Sequence, residues 1–288
     1  MTMLLSLGHG YTASALAERL QGWRIIGTTR DPARKLNVET LVWPAPIPEG
    51  VTHLLASAAP DDAGDPFLAT HSAHIAALPL SWAGYLSTTG VYGDHGGAWV
   101  DEDTPPAPTT RRGQQRLAAE RQWQALMPVH IFRLAGIYGP GRGPFEKVAN
   151  GTARRIVKPG QVFSRIHVDD IARVLEASIA APAPGIYNLC DDDPAPPEDV
   201  LEHAAHLLGL PPPPAIPFAE AEMTPMQQSF YAESKRVRND RIKRLVRLKF
   251  PDYRAGLADL LASQSVMVKQ TSPAAPSAAP TYPDDGRP

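Results

Sequence analysis

A hexapeptide near the N-terminus has the residue types and spacing that bind a diphosphate. It reads Gly8-His9-Gly10-Tyr11-Thr12-Ala13. It follows the short apolar run Met3–Leu7 and precedes a helical pattern, which is the context of dinucleotide-binding glycine turns. Gly8 permits the tight turn, Gly10 lets the backbone approach the diphosphate, and Ala13 keeps the helix close to the sheet. Free N–H groups at the start of that helix then face the phosphates.

The end of the second apolar run indicates which dinucleotide is bound. About 20 residues after the glycine turn, where the adenosine ribose is read, the chain continues Gly27-Thr28-Thr29-Arg30. A carboxylate there would favour NAD, whereas Arg30 with the Thr29 hydroxyl suits the 2′-phosphate of NADP. Asp31 follows the strand, in a position to cap the next turn. The residues therefore predict NADP rather than NAD, the alternative being that Arg30 is a solvated loop charge.

Small residues follow a third apolar run and complete the predicted cofactor site. Residues 52–56 lead into Ser57-Ala58-Ala59-Pro60. Such small side chains let the backbone pass close to a flat ligand, although they also suit dense packing. We include Ser57, Ala58 and Ala59 among the residues expected to line the cofactor.

Short apolar runs alternate with helical patterns along most of the chain, which is typical of βαβ units on a parallel sheet. We predict an α/β fold with a Rossmann-type doubly wound parallel sheet and a small C-terminal α/β region. Residues 1–185 form the predicted cofactor domain, with 145–164 contributing to the substrate region, and 186–262 form the predicted substrate-binding region. Residues 263–288 are rich in Pro, Ala, Ser and Thr and are predicted to be a disordered tail.

Composition limits the classes of function. The chain has 288 residues, 43% of them hydrophobic, and a net charge of −2, so it has a core and no overall attraction to nucleic acid or acidic lipid. Its single cysteine, Cys190, fits a reducing compartment and supplies no metal cluster. No apolar run approaches the ~18 residues of a membrane helix, and the first is too short for a secretory signal. We predict a cytoplasmic protein with a small-molecule substrate, without a metal site and without nucleic-acid or membrane partners.

Longer segments of the chain resemble the extended short-chain dehydrogenase/reductase family, which includes nucleotide-sugar epimerases and dehydratases. In chain order these segments are residues 85–94, 99–105, 132–142, 165–172 and 187–189. The resemblance implies a Rossmann fold, a nicotinamide cofactor and hydride transfer. It also implies a substrate-binding hydroxyl after the fifth strand, for which Thr88 is the match and Ser87 and Thr89 are alternatives.

The family's Tyr-x-x-x-Lys pair is absent. At the matching distance the chain reads Arg112-Gly113-Gln114-Gln115-Arg116. Because arginine stays protonated in proteins, it cannot exchange a proton as a tyrosine can. The resemblance is therefore to an atypical branch that keeps the cofactor fold without the tyrosine. Tyr92, four residues past Thr88, is the predicted replacement proton donor, and the alternative is an aromatic ring that anchors a loop.

Arginines predict an anionic substrate group. Arg112 and Arg116 lie one helical turn apart and can clamp a phosphate or carboxylate, unless they form a solvated helix face. Arg142 completes the predicted substrate-binding set. Sugar-nucleotide members of the family place an arginine where this chain has Phe163, and the segment between residues 59 and 85 is short for a family-type dimer helix. We therefore predict an unidentified small substrate and a monomer or weak homodimer.

Two functions are compatible with these residues. The leading hypothesis is an NADP(H)-dependent oxidoreductase or epimerase-like protein that holds its substrate at Thr88. The alternative is a non-catalytic NADP(H) sensor or regulatory module, which explains the missing Tyr and Lys directly. A basic stretch at 235–249 lacks the aromatic interleaving of nucleic-acid sites, so we interpret it as a solvated helix face. The alternative, which the resemblance implies, is a contact from Lys235 or Arg236 to an anionic substrate. His167 lies in an apolar run and is predicted to be structural.

Overall fold

The alternating apolar runs and helical patterns form an α/β fold over residues 2–271, which the computed structural model describes. The strands are β1 (Met3–Leu7), β2 (Arg24–Thr29), β3 (Glu39–Val42), β4 (His53–Ala56), β5 (Trp82–Thr88), β6 (Trp99–Val100), β7 (His130–Leu134), β8 (Gly136–Tyr138), β9 (Arg155–Val157), β10 (Arg165–His167), β11 (Gly185–Leu189), β12 (Ala215–Pro217) and β13 (Arg236–Val237). The helices are α1 (Tyr11–Arg19), α2 (Leu68–Ala76), α3 (Arg111–Leu126), α4 (Phe145–Ala149), α5 (Val168–Ala180), α6 (Pro197–Leu207), α7 (Pro225–Tyr231), α8 (Asp240–Lys243) and α9 (Tyr253–Thr271).

The central sheet has seven strands in the order β11-β7-β5-β4-β1-β2-β3, and every neighbouring pair is parallel. The chain leaves β1 toward β2 and β3, then crosses to β4 on the other side of β1. In sheets of this kind ligands bind outside the carboxyl ends of the strands at such a reversal. The predicted Rossmann-type doubly wound parallel sheet is confirmed.

Successive side chains of each strand pack on opposite faces of the sheet. Leu4 joins a core with Leu16 of α1 and Val174 of α5. Leu5 joins a second core with Trp123 of α3 on the other face. Burying each such leucine contributes about 1.5–3 kcal/mol, so these two apolar layers fix the strand ends that carry the site.

A third, smaller core lies in the C-terminal region, where α4, α6 and α9 pack together. It includes Tyr138, Phe145, Ala204 and Leu257. Tyr138 ends β8, which begins directly after β7 leaves the central sheet. This region is therefore attached at the carboxyl edge of the sheet.

Two predicted boundaries differ from the structure. β11 is the edge strand of the central sheet and crosses the predicted domain boundary at residue 185. α9 continues through Thr271, past the predicted start of the tail at residue 263, because apolar residues recur in 257–268 despite the high Ala and Ser content. Residues 272–288 of the predicted tail lie outside the described residues.

The basic stretch at 235–249 is not one long helix. Within it, only α8 is helical. Several cationic side chains of this stretch form ion pairs with carboxylates from other segments. Lys243 pairs with Asp192 at 2.6 Å, and Arg241 pairs with Asp103 at 2.5 Å. None of the helices within residues 2–271 combines the length and apolarity needed to cross a bilayer.

Candidate functional site

The carboxyl ends of the parallel strands bring the predicted site residues to one edge of the sheet. Gly8 follows β1, Arg30 follows β2, Ser57 follows β4 and Ala135 follows β7, while Thr88 ends β5. A cavity of about 960 Å³ opens over the β5 and β7 part of this edge. The glycine turn and the cavity therefore lie side by side, as a cofactor site and a substrate site do in Rossmann folds.

The glycine turn is held by both strands that flank β1. The Gly8 N–H donates to Thr28 Oγ1 at 2.7 Å, and the Ser57 hydroxyl donates to the Gly8 carbonyl at 2.5 Å. Gly8 has a φ of 81°, and a Cβ there would lie 2.8 Å from the backbone nitrogen of Ala58. This position therefore requires glycine for both its backbone angle and its packing.

Gly10 differs from Gly8 because the space in front of it is open. It caps α1 without a side-chain hydrogen bond, and a Cβ there would meet nothing nearer than 3.8 Å. The first amides of α1, at Tyr11, Thr12 and Ala13, have no partner within the helix. Thr12 and Ala13 are buried and offer only their backbone. This cradle fits a diphosphate.

His9 faces the protein rather than the cradle. Its buried ring packs against Gly27, and its Nε2 lies 2.9 Å from Asn37 Oδ1 and 3.2 Å from Ser14 Oγ. Burial lowers the pKa of His9, which favours the neutral ring. The side chain therefore joins the turn to the loop after β2.

The loop after β2 presents unpaired positive charge. Arg30 is exposed and makes no hydrogen bond or ion pair with the described residues, and Arg34 and Lys35 follow it. Thr29 is buried, and its hydroxyl accepts from the Asp31 N–H at 3.2 Å. The Asp31 carboxylate accepts from the Ala33 N–H at 2.9 Å and so caps the local turn. A cationic edge thus lies where the adenosine ribose is read.

Thr88 lines the cavity and opens a 3-10 turn. Its Oγ1 accepts a hydrogen bond from the Gly90 N–H at 3.1 Å, which leaves its own proton free to donate. Thr89 also lines the cavity. Ser87 does not, because its buried hydroxyl donates to Glu120 in the sheet interior.

The structure argues against Tyr92 as the proton donor. The 3-10 turn after Thr88 directs the Tyr92 ring into the core, where it is fully buried and lies outside the cavity wall. Its hydroxyl donates to Asn188 Oδ1 at 2.7 Å, and the Arg133 guanidinium lies 4.8 Å from its ring centre. Burial raises the pKa of Tyr92 to about 12. The alternative interpretation, an anchoring aromatic, agrees with this position.

The predicted arginine clamp is divided between two roles. Arg116 Nη1 donates to the carbonyls of Ala58 and Leu86 and to the Tyr85 hydroxyl, each at 3.0 Å. It therefore positions the loop after β4 against β5. Arg112 is exposed, lines the cavity, and has no hydrogen bond or ion pair with the described residues. Its guanidinium lies 5.6 Å from the ring centre of Phe230.

Arg142 lies between the glycine turn and the cavity. Its guanidinium is 4.6 Å from the ring centre of Tyr11, the first residue of α1, and it also lines the cavity. The Tyr11 hydroxyl donates to the Pro140 carbonyl at 2.9 Å. Arg142 can therefore reach either a cofactor phosphate or a substrate.

Several solved structures are similar to this chain over nearly its whole length. One from Silicibacter pomeroyi DSS, described as a functionally unknown conserved protein, is 59% identical, with a TM-score of 0.86 over 92% of this chain and 99% of that chain. A protein from Methylobacillus flagellatus, provisionally described as an NAD-dependent epimerase/dehydratase, is 28% identical with a TM-score of 0.68 over 92% and 98%. The human epimerase family protein SDR39U1, solved with NADPH, shares the fold at 17% identity and a TM-score of 0.72 over 91% and 99%. The chain therefore shares the fold of NAD(P)-dependent epimerase/dehydratase-type proteins, as its resemblance to the extended short-chain dehydrogenase/reductase family implies.

Curated relatives match this chain over shorter segments. Protein YeeZ of Escherichia coli K12 is 36% identical over 134 residues, which are 45% of this chain and 47% of YeeZ. A 3-diazoavenalumate denitrifying reductase of Streptomyces sp is 29% identical over 184 residues, which are 60% of this chain and 56% of the reductase. The chain thus aligns with about half of each curated relative. No family model matches it.

Sequence reasoning missed several residues of the cavity wall. They come from separate segments of the C-terminal region, and the group includes Phe163, Phe230, Tyr231, Tyr253, Arg165 and Glu233. Arg165 Nη1 donates to the carbonyls of Phe163 at 2.8 Å and Ala195 at 3.0 Å. Lys235 of the basic stretch also lines the cavity, and its Nζ donates to the Gly93 carbonyl at 2.6 Å beside the 3-10 turn.

His167 is structural, as its sequence context predicts. It is buried, and its Nδ1 accepts from the Asp169 N–H at 3.2 Å, which caps α5. Burial lowers the pKa of His167 to about 4. The neutral ring is therefore the form that the fold accommodates.

Acid is expected to destabilise the fold through His167. Its folded pKa of about 4 lies below the ordinary 6.5, so the unfolded chain binds the extra proton first. The stability that the neutral His167 ring contributes to the folded state is therefore present above pH 6.5 and is lost as the pH falls toward 4. Between pH 7.5 and pH 5 the wild type should lose about 2 kcal/mol more unfolding free energy in urea than His167→Asn, which keeps a capping acceptor. Equal losses in both proteins would refute this role, since the other histidines remain in the variant.

Proposed function

We propose that the chain is an NADP(H)-dependent oxidoreductase that passes hydride to or from a small anionic substrate. One observation carries the proposal: the open cradle at Gly10, the free Arg30 charge and the cavity at Thr88 lie along one edge of the sheet. A bound dinucleotide placed along this edge reaches the cavity with its nicotinamide end. The site lies at the strand-order reversal where such folds bind cofactors.

The preference for NADP rests on the loop after β2. A 2′-phosphate needs cationic donors, and Arg30 has no competing partner among the described residues. Asp31 is occupied by its own turn, so it does not take the place of a ribose-binding carboxylate. The SDR39U1 structure with NADPH is an example of this cofactor on the same fold.

The chain's own residues then orient the substrate. The Thr88 O–H donates to a substrate oxygen, while Arg116 keeps the Ala58 loop at a fixed distance from β5. When bound, the nicotinamide would supply or accept the hydride. Since Arg112 and Arg116 do not exchange protons, the proton that balances the hydride would have to come from, or go to, another group or water at the cavity. We further propose that the protein acts as a monomer or weak homodimer.

The test is NADPH consumption with a panel of small carbonyl compounds that carry a carboxylate. We expect substrate-dependent loss of NADPH absorbance, with NADH used less well. Arg30→Ala should raise the KM for NADPH about tenfold and leave the KM for NADH unchanged, because a charge-assisted phosphate contact contributes about 1.5–3 kcal/mol.

Arg121→Ala is the matched control, since Arg121 is also exposed but lies on α3. It should change neither KM. NADPH binding without turnover on any member of the panel would reject the enzymatic function and favour the non-catalytic sensor. Equal binding of NADPH and NADH would reject the choice of cofactor.

A further inference from the structure

The charges on the cavity wall are strongly unequal. Among the described residues, its ionisable cationic side chains are those of Arg112, Arg116, Arg142, Arg165 and Lys235, and its one acidic side chain is that of Glu233. Glu233 pairs with Lys235 at 2.7 Å. An anionic ligand is therefore favoured over a neutral or cationic one.

Most of these cations are already bound to the protein. Arg116 and Arg165 donate to backbone carbonyls, and Lys235 donates to Gly93 and Glu233. Arg112 and Arg142 contact only aromatic rings among the described residues. Arg142 lies on Tyr11 at the glycine turn, where it can contact a cofactor phosphate, so we assign Arg112 to the substrate.

Aromatic rings line the cavity, and one of them lies beside Arg112. Phe163 and Tyr231 pack edge to face, with ring centres 5.6 Å apart. Phe230, which lies under the Arg112 guanidinium, is 51% exposed. A large exposed aromatic side chain beside a cavity is a typical contact surface for an apolar ligand. A planar ring stacking there would cover it.

We propose that the substrate is a planar aromatic carboxylate, with its carboxylate on Arg112 and its ring against Phe230 and the Phe163–Tyr231 pair. A carboxylate accepts two parallel hydrogen bonds from one guanidinium. A phosphate usually draws several cationic donors, whereas among the described residues Arg112 is the one cavity cation that neither donates to the protein nor lies at the glycine turn. Arg112 stands where the resembling family has its tyrosine, so an anion-binding group replaces a proton donor there. This inference rests on the proposed function.

Calorimetry on protein saturated with NADP⁺ tests the substrate class without requiring turnover. The probes are cinnamate, cinnamamide, which has the same ring without charge, and butyrate, which has the charge without a ring. We expect cinnamate to bind about tenfold more tightly than either, as one charge-assisted contact and one stacked ring each predict. Phenyl phosphate should bind less tightly than cinnamate.

Arg112→Gln should remove the advantage of cinnamate over cinnamamide. The matched control is Arg111→Gln, because Arg111 is the neighbouring exposed arginine but is paired with Asp62 and lies outside the cavity wall. It should bind cinnamate as the wild type does. Phe230→Ala should weaken cinnamate and cinnamamide equally.

Several results would overturn the proposal. They are equal binding of cinnamate and cinnamamide, equal binding of cinnamate and butyrate, tighter binding of phenyl phosphate, or unchanged binding in Arg112→Gln. A titration with NADP⁺ alone is done first, and it distinguishes a wrong substrate class from a failure of the proposed function. If NADP⁺ binds and cinnamate does not, only the substrate class is wrong.

Discussion

Gly10→Val is expected to weaken NADP(H) binding at least about a hundredfold while leaving the fold intact. The Cβ would enter open space, 3.8 Å from its nearest neighbour, so nothing in the protein must move. The two methyl groups would then occupy the place in front of the first α1 amides where a diphosphate must approach. A hundredfold change corresponds to about 2.7 kcal/mol, which calorimetric titration with NADP⁺ measures directly.

Two further glycines make this result interpretable. Gly185 is also free of close neighbours, the nearest lying 3.9 Å from an added Cβ, but it begins β11 away from the glycine turn. Gly185→Val should retain full NADP⁺ affinity. Gly8→Ala should lose stability as well as affinity because its Cβ meets the Ala58 backbone. Wild-type affinity in Gly10→Val would remove the glycine turn from the cofactor site.

Arg133→Met is expected to lower the unfolding free energy by about 3–5 kcal/mol. Arg133 and Glu120 are 2% and 1% exposed and are joined by two hydrogen bonds of 3.1 and 2.8 Å. Removing the guanidinium leaves the Glu120 carboxylate buried, with the Ser87 hydroxyl as its remaining partner. An uncompensated buried charge costs about this amount. Urea unfolding followed by circular dichroism measures the loss.

Removing both charges should cost less than removing one. In Arg133→Met/Glu120→Leu no charge remains buried, so part of the lost stability should return. Arg24→Met is the matched control, since the Arg24–Glu39 pair has a 2.9 Å contact but is 40% and 51% exposed. It should lose much less than Arg133→Met, because solvent screens an exposed pair. A double variant as unstable as Arg133→Met would show that packing, rather than charge, dominates at this pair.

The strands of the cofactor region could be predicted from sequence because their signals are local. β1 has the bounds of the apolar run Met3–Leu7 that predicts it, and the glycine turn follows β1 at a fixed spacing. The position of Arg30 could be predicted in the same way, because a residue that directly follows a parallel strand lies at the carboxyl edge of the sheet.

The cavity wall could not be predicted because its residues meet only through tertiary packing. Phe163 and Phe230 lie far apart in sequence, and the smaller C-terminal region brings both to the same cavity. The closeness of Tyr92 to Thr88 in sequence predicts a proton donor, but the 3-10 turn between them places the Tyr92 ring in the core. The role of Arg116 depends on the Ala58 carbonyl, which belongs to another strand end.

Arg116 also has a consequence for how this site can be altered. One of its nitrogens serves three acceptors around the loop after β4. Any replacement side chain would have to preserve the loop's support at the same time. Architecture, rather than reactivity, therefore constrains this position, and introducing a proton-exchanging side chain here would require more than a single substitution.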